Sequence, residues 1–181
     1  MKRLYFAYGS NMLVERLQRR CASAHAYGVA ALAGHRLSFS KTGQDGSGKA
    51  TVHSCDRPGS CVHGVVFDIT LSDLGTLDCI EGRGRGYQRI DLTGAVRLAG
   101  GQIVDVTTYI AEADYIDPTL APFDWYLDLV VHGAERAALP LDYCRALAAT
   151  RALTDPVPTR PTRLEALNVL SAAAGASMQH R

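Results

Sequence analysis

Tyr5-Phe6-Ala7-Tyr8-Gly9-Ser10-Asn11-Met12 stands almost at the start of the chain and sets the reading of everything after it. An apolar strand runs straight into Gly9, a residue able to take backbone conformations closed to others. Ser10 and Asn11 follow, and both are good helix N-caps. Met12 to Arg20 then reads as a short helix, with Leu13 and Leu17 one turn apart and charges between them. A strand, a glycine turn and a helix start leave backbone N–H groups unpaired, which makes a cradle for an anion or for a developing oxyanion. The spacing is neither the Gly-x-Gly-x-x-Gly of a dinucleotide site nor a P-loop, since no Gly-Lys-Ser/Thr follows. A plain β-to-α turn is the competing reading.

Outward from that segment, β signals come in quick succession. Tyr27–Leu32 and His35–Lys41 read as short strands separated by Ala33-Gly34. The glycine-rich stretch Thr42–Gly48 is expected to be an exposed, mobile loop. Lys49–Cys55 and Cys61–Ile69 are expected to form a hairpin around Asp56-Arg57-Pro58-Gly59-Ser60. Leu71–Ile80 returns to helical spacing, and Gln88–Leu98 with Gln102–Ala111 predicts a second hairpin around Ala99-Gly100-Gly101. Some six strands joined by hairpins predict an α+β fold, a small and mostly antiparallel β-barrel with flanking helices.

The last third is helical. Asp124 is placed to cap a helix running to about Ala138, Leu139-Pro140 ends it, and Leu141–Thr150 forms another. The prolines of Asp155–Pro161 predict an extended linker, followed by a short helix from Thr162 to about Ala173. The division expected is a domain over 1–150 and a proline-rich linker with a helical tail over 151–181. The tail's stripe of Leu164, Leu167 and Leu170 either covers the barrel or docks a second copy in a homodimer. With 181 residues and a formal charge of +1, the chain shows no signature of nucleic-acid or membrane-surface binding. Its apolar runs are too short for a membrane span. Five scattered cysteines and a strand directly after Met-Lys-Arg point to the cytoplasm, with no signal peptide.

A second informative segment is Leu77-Asp78-Cys79-Ile80-Glu81-Gly82. Gly82 sits where a helix stop takes a left-handed residue, which puts Glu81 at the negative end of the helix dipole. That position disfavours the carboxylate and is expected to push the Glu81 pKa upward, towards general acid–base work. Arg83 and Arg85 oppose the shift if their side chains reach Glu81. A solvated glutamate at a helix end is the plainer alternative.

The opening Tyr-Phe-Ala-Tyr-Gly-Ser-Asn-Met, the Leu77–Gly82 segment, and the later Gly133-Ala134 with Leu139-Pro140-Leu141 and Tyr143 resemble the gamma-glutamylcyclotransferase family, in its order and at about its spacing. The likeness covers roughly Arg3 to Leu147. It implies a small β-barrel with flanking helices that converts a γ-glutamyl amino acid or amine to 5-oxoproline and the free amine. It also implies no metal and no cofactor. By resemblance the substrate loop maps onto Tyr5, Phe6, Ala7, Tyr8, Gly9, Ser10 and Asn11, and the catalytic acid/base onto Glu81. Tyr126, seven residues before Gly133, maps onto a pocket tyrosine. Tyr-Gly-Ser-Asn, where glutathione-specific relatives carry Tyr-Gly-Ser-Leu, favours the general γ-glutamyl branch. Two further readings stay open: a non-catalytic domain of the same fold that binds a small ligand or protein, and a γ-glutamylamine cyclotransferase in a biosynthetic pathway.

Some constellations carry less. His53 with Cys55 and Cys61 with His63 face each other across the expected hairpin, and a zinc site or a disulfide there competes with a plain hairpin tip. Cys21, Cys79 and Cys144 read as small apolar packing groups. Tyr126, Val130, Gly133, Ala134 and Ala137 share a helix face and read as core, with the Tyr126 hydroxyl reaching the pocket. The leaving group's pocket is expected among Thr42–Gly48, Arg83–Gly86 and Tyr115–Phe123.

Overall fold

The computed structural model describes residues 1–178, with side chains through residue 175. Strand β1 (Lys2–Ala7) leads through a single 3-10 turn (Ser10–Met12) into helix α1 (Val14–Arg20). Strands β2 (His25–Ala33), β3 (His35–Thr42), β4 (Gly48–Ser54) and β5 (Cys61–Thr70) follow, then α2 (Leu71–Glu81), β6 (Tyr87–Leu98) and β7 (Ile103–Ala111). Helices α3 (Asp124–Arg136), α4 (Leu141–Ala148) and α5 (Pro161–Met178) complete the chain.

Five strands close a barrel in the order β1-β5-β2-β6-β7, with β3 and β4 in a separate two-stranded sheet. The seams are antiparallel except the last, where β7 meets β1 in parallel at Tyr5 and Thr107. There the Thr108 hydroxyl donates to the Phe6 carbonyl at 2.7 Å. Phe6, Val62, Val66, Phe67, Ile69 and Val96 are fully buried, so the barrel interior is a packed core. Gly64 is required by that packing: a Cβ there would lie 2.3 Å from the Ala7 carbonyl oxygen and under 3 Å from the Phe6 ring.

The α+β barrel expectation is met, and so is the β6–β7 hairpin. The expected hairpin of Lys49–Cys55 with Cys61–Ile69 does not form. Strand β4 pairs with β3 instead, and β5 lies between β1 and β2 inside the barrel, so residues 56–60 carry the chain from one sheet to the other. His53 therefore accompanies Ser38 and Ser40, at 2.9 and 3.2 Å, while His63 packs edge-on against Tyr143. The two His/Cys pairs do not converge, and among the described residues no group of three or more His, Cys, Asp or Glu is placed to hold a metal. All five cysteines are free thiols; Cys21 and Cys144 are buried, whereas Cys79 is exposed rather than packed.

The helical part differs in detail from its expectation. Asp124 lies inside the first turn of α3, and the residue at the cap is Phe123. Asp155, at the start of the proline-rich stretch, is buried: it accepts two bonds from Arg160 (2.7 and 3.1 Å), one from the Trp125 indole (3.0 Å) and one from the Val157 amide (2.9 Å). That anchor fixes the entry to α5, which Pro161 opens without losing a needed N–H. The face α5 buries is Ala166, Val169 and Ala173, with Leu170 partly covered; Leu164 and Leu167 are 45% and 39% exposed. Small residues allow α5 to lie close on α1 and α3, which a leucine stripe would prevent. No helix of the described residues is long and apolar enough to cross a membrane.

Candidate active site

The site forms where the turn after β1 meets the end of α2. Gly9 keeps a negative φ of −115°, so it is not there for a left-handed backbone. It is there for space: a Cβ would come to 3.0 Å from the Ala50 Cβ and 3.6 Å from the Tyr126 hydroxyl. Ser10 and Asn11 do not cap α1, whose N-cap is Leu13. The intervening 3-10 turn rolls both side chains inward, and both are buried. The turn's backbone bond runs from the Met12 amide to the Gly9 carbonyl at 3.0 Å, so the amides of Gly9, Ser10 and Asn11 lie upstream of any intrahelical acceptor.

Helix α2 begins on the Thr70 side chain, which accepts from the Asp73 amide at 3.2 Å. It stops as expected at Gly82, in the left-handed region at φ 67° and ψ 49°. The Arg83 amide returns to the Asp78 carbonyl at 2.9 Å and closes the end. This stop presents Glu81 to the turn. Asn11 Nδ2 donates to Glu81 Oε1 at 3.0 Å, and Arg20 Nη1 donates to the same oxygen at 3.2 Å and to Asn11 Oδ1 at 3.1 Å. The arginine that meets Glu81 is thus Arg20, at the end of α1. Arg83 pairs instead with Asp78 at 3.2 Å, and Arg85 faces the outer cleft.

Glu81 opens onto a narrow recess lined by Tyr5, Tyr8, Gly9, Ser10, Asn11, Ala50, Tyr87, Tyr109 and Tyr126. Of the residues expected at the site, Phe6 and Ala7 stand apart: strand alternation and close packing put Phe6 inside the barrel, and neither lines the recess. Ala50, Tyr87, Tyr109 and Arg20 join the site without having been expected there. Burial holds the phenols of Tyr5, Tyr8, Tyr87, Tyr109 and Tyr126 above the usual tyrosine range, so all five are neutral hydroxyls. Three of them spend their protons on the protein: Tyr8 on the Tyr109 carbonyl, Tyr87 on the Ala50 carbonyl at 2.6 Å, and Tyr109 on Asp78 at 2.8 Å. Tyr5 and Tyr126 instead accept, from Asn11 at 3.0 Å and from the Ala50 amide at 3.1 Å, which leaves their own O–H groups as donors.

Beyond Glu81 the recess widens into a cleft of about 460 Å³. Its walls include Gly43–Asp45, Lys41, Lys49, Arg85, Tyr87, Trp125 and Arg160. The Thr42–Gly48 segment is therefore a built wall rather than a mobile loop. Asp45 accepts from the Ser47 amide at 3.0 Å and from Lys49 at 2.7 Å, and the Gly43 amide donates to the Ser47 carbonyl. A Cβ on Gly48 would sit 1.9 Å from the Phe39 carbonyl oxygen. Of the expected 115–123 segment, residues 119–122 line a different cavity, on the side of Tyr143.

One carboxylate and the Gly9–Asn11 turn thus meet at a recess lined by five neutral phenols, the kind of concave polar site that takes a small molecule. The model of the AIG2-like family matches residues 61–147. The gamma-glutamylcyclotransferase of Bos taurus is 36% identical over 150 residues, covering 80% of this chain and 76% of its own length. The Homo sapiens enzyme of that name is 36% identical over 152 residues, with 81% and 77% covered. A solved gamma-glutamyl cyclotransferase superposes with a TM-score of 0.81 at 29% identity, covering 95% of this chain and 99% of its own. The chain belongs to the gamma-glutamylcyclotransferase family, and it is an enzyme of that class.

Proposed function

We propose that the protein converts a γ-glutamyl amino acid or γ-glutamyl amine to 5-oxoproline and the free amine, with Glu81 as the general acid and base. The observation that supports it above the others is the carboxylate of Glu81, held by Asn11 and Arg20 at the mouth of the recess. The substrate's own α-amine is the nucleophile, so the protein has to supply folding of the substrate and proton traffic, not a covalent intermediate. The α-ammonium gives up a proton to solvent, its nitrogen forms a bond to the side-chain carbonyl carbon, and the carbonyl π pair moves to oxygen. Glu81 takes the extra proton from the ring nitrogen and delivers it to the amide nitrogen. The C–N bond then breaks, the oxyanion returns its pair to form the lactam carbonyl, and the amine departs.

Both protein donors to Glu81 act on Oε1, so neither occupies Oε2. The amides of Gly9, Ser10 and Asn11 offer donors to an anionic oxygen, either the substrate's α-carboxylate or the oxyanion. The O–H groups of Tyr5 and Tyr126 add two neutral donors. Five free thiols suit a reducing compartment such as the cytoplasm.

The test is release of 5-oxoproline from a panel of γ-glutamyl amino acids and amines, with Glu81→Gln alongside. The variant keeps the hydrogen-bonding shape and loses the proton shuttle, so its turnover should fall by ~10²–10⁴-fold while substrate still binds. Turnover near that of the unmodified protein would refute the role given to Glu81.

A further inference from the structure

The cavity on the side of Tyr143 shares no lining residue with the recess or the outer cleft. It holds about 730 Å³, the size of a small-molecule site. Strand β3 forms one wall. The crossover of residues 56–60 forms a second and is tied to the start of that strand. There the Gly34 amide donates to the Ser60 carbonyl at 2.9 Å, and the Gly34 carbonyl accepts from the Cys55 amide at 2.8 Å. Helix α4 forms a third, with Tyr143, Ala146, Leu147 and Thr150 on one face at i, i+3, i+4 and i+7. Residues 119–122 complete the lining. They are pinned where the Gly48 amide donates to the Ala121 carbonyl at 2.8 Å and the Leu153 amide to the Pro122 carbonyl at 2.9 Å. Phe39 also lines the cavity, and its ring meets that of Tyr126 edge-on with centroids 6.3 Å apart. It therefore stands between this cavity and the candidate active site.

The charge of the lining is one-sided. Arg36, Arg57 and Arg151 reach it from β3, the crossover and the end of α4, and no aspartate or glutamate lines it. Among the described residues, none of these three guanidiniums has a carboxylate within 4 Å. Two of them act on the same spot. Behind hydrogen bonds from the Ser60 hydroxyl and the Arg57 backbone, the charges of Arg36 and Arg57 help hold the Cys55 thiol below the usual range. Between the charges the surface is apolar, with Leu37, Phe39, Leu120, Pro122 and Leu147 beside the Tyr143 ring. Water satisfies a guanidinium but not an apolar floor. Guanidiniums around such a floor match an anion that carries an apolar body. The C-terminal end of α4 also lines the cavity, and its partial negative charge favours a singly charged anion over a dianion.

We propose that this cavity is a binding site, separate from the candidate active site, for a small monocarboxylate with an aromatic or alkyl body. The carboxylate lies among Arg36, Arg57 and Arg151, and the body lies against Phe39, Tyr143 and Leu147. The site does not depend on the cyclotransferase reading. A charge-assisted hydrogen bond to a carboxylate, absent for the matching carboxamide, corresponds to roughly 10- to 100-fold in Kd.

The experiment is isothermal titration calorimetry with 4-phenylbutyrate and its neutral analogue 4-phenylbutyramide. The proteins are the unmodified chain, the triple variant Arg36→Gln/Arg57→Gln/Arg151→Gln, and Ala146→Trp. All four positions are exposed, so the substitutions leave the core intact. In the unmodified protein the carboxylate should bind at least about 10-fold more tightly than the amide. The triple variant should bring that ratio close to one, and Ala146→Trp, which fills the cavity, should abolish binding of both. Equal affinity for acid and amide in the unmodified protein would overturn the proposal, because the guanidiniums would then select nothing. An unchanged ratio in the triple variant, or undiminished binding in Ala146→Trp, would place the ligand elsewhere and overturn it too. So would the absence of binding by 4-phenylbutyrate at millimolar concentration.

Discussion

Gly133 on α3 faces the turn that carries the candidate site, and replacing it with alanine tests whether that contact positions the groups proposed for catalysis. A Cβ at 133 would lie 2.8 Å from the Leu13 amide nitrogen, 2.9 Å from the Met12 Cβ and 3.1 Å from the Met12 carbonyl carbon. Ordinary carbon contacts begin near 3.4 Å, so α3 and the turn must separate by about 0.6 Å. Two of the three atoms are main chain and cannot swing aside. Alanine gains ~1 kcal/mol of helix propensity over glycine, whereas overpacking costs ~1–3 kcal/mol. The expected outcome is a net loss of about 1 kcal/mol, or ~2–4 °C in Tm for a chain of this size. Gly75→Ala on α2 is the control, because nothing lies within 4 Å of a Cβ there. It should raise Tm by ~1–4 °C.

The activity readout is sharper than the stability one. Tyr126 sits two turns before Gly133 on the same face of α3, and Asn11 directly precedes Met12. Separating the helix from the turn moves Tyr126 relative to Asn11 and so opens the recess between them. Since ~1 Å of misplacement costs about 10²-fold, a shift of this size should lower kcat/KM by about 10-fold. The assay pairs thermal unfolding with 5-oxoproline release. A Gly133→Ala protein with undiminished kcat/KM and a Tm raised like that of Gly75→Ala would refute the claim that α3 sets the turn by contact.

Three other outcomes follow from named bonds. Tyr126→Phe removes the hydroxyl and leaves the buried Ala50 amide without its acceptor; kcat/KM should fall by roughly 2- to 10-fold, read in the same release assay. Asp155→Ala breaks a buried bidentate pair and should cost ~3–5 kcal/mol, visible as a lower midpoint in denaturant unfolding. The same site gives a pH signature. Hydrogen bonds from Arg160, first among its partners, hold the Asp155 carboxyl well below the usual carboxylate range. Its stabilisation is therefore complete above an unfolded aspartate's pKa of about 4 and is lost as pH falls from there towards the lower folded value. Asp155→Asn should flatten that part of the stability–pH curve, and an unchanged slope would refute the assignment.

Local chemistry determined a good part of this protein in the sequence. The strands between Tyr27 and Ala111, to within about two residues at each end, the left-handed stop at Gly82 and the β6–β7 turn follow from alternation and from turn residues, which act within a few positions. Glu81, Asn11 and Tyr126, which the fold brings to one recess, were singled out through motifs in register. Only the tertiary structure decided who meets whom. Strand β4 took β3 over β5 because closing the barrel through β1 and β2 buries both faces of β5, a gain no turn signal encodes. Arg20 reaches Glu81 across 61 positions, and the Ala50 backbone joins Tyr87 to Tyr126 across 37 and 76. Lys41 looks in sequence like any strand lysine; its place over the rings of Tyr87 and Tyr115 and against Gly86 exists only in the folded chain. Of the two readings open for the α5 leucine stripe, covering the barrel is the one that fails: the close approach to α1 and α3 buries the alanines and leaves Leu164 and Leu167 exposed.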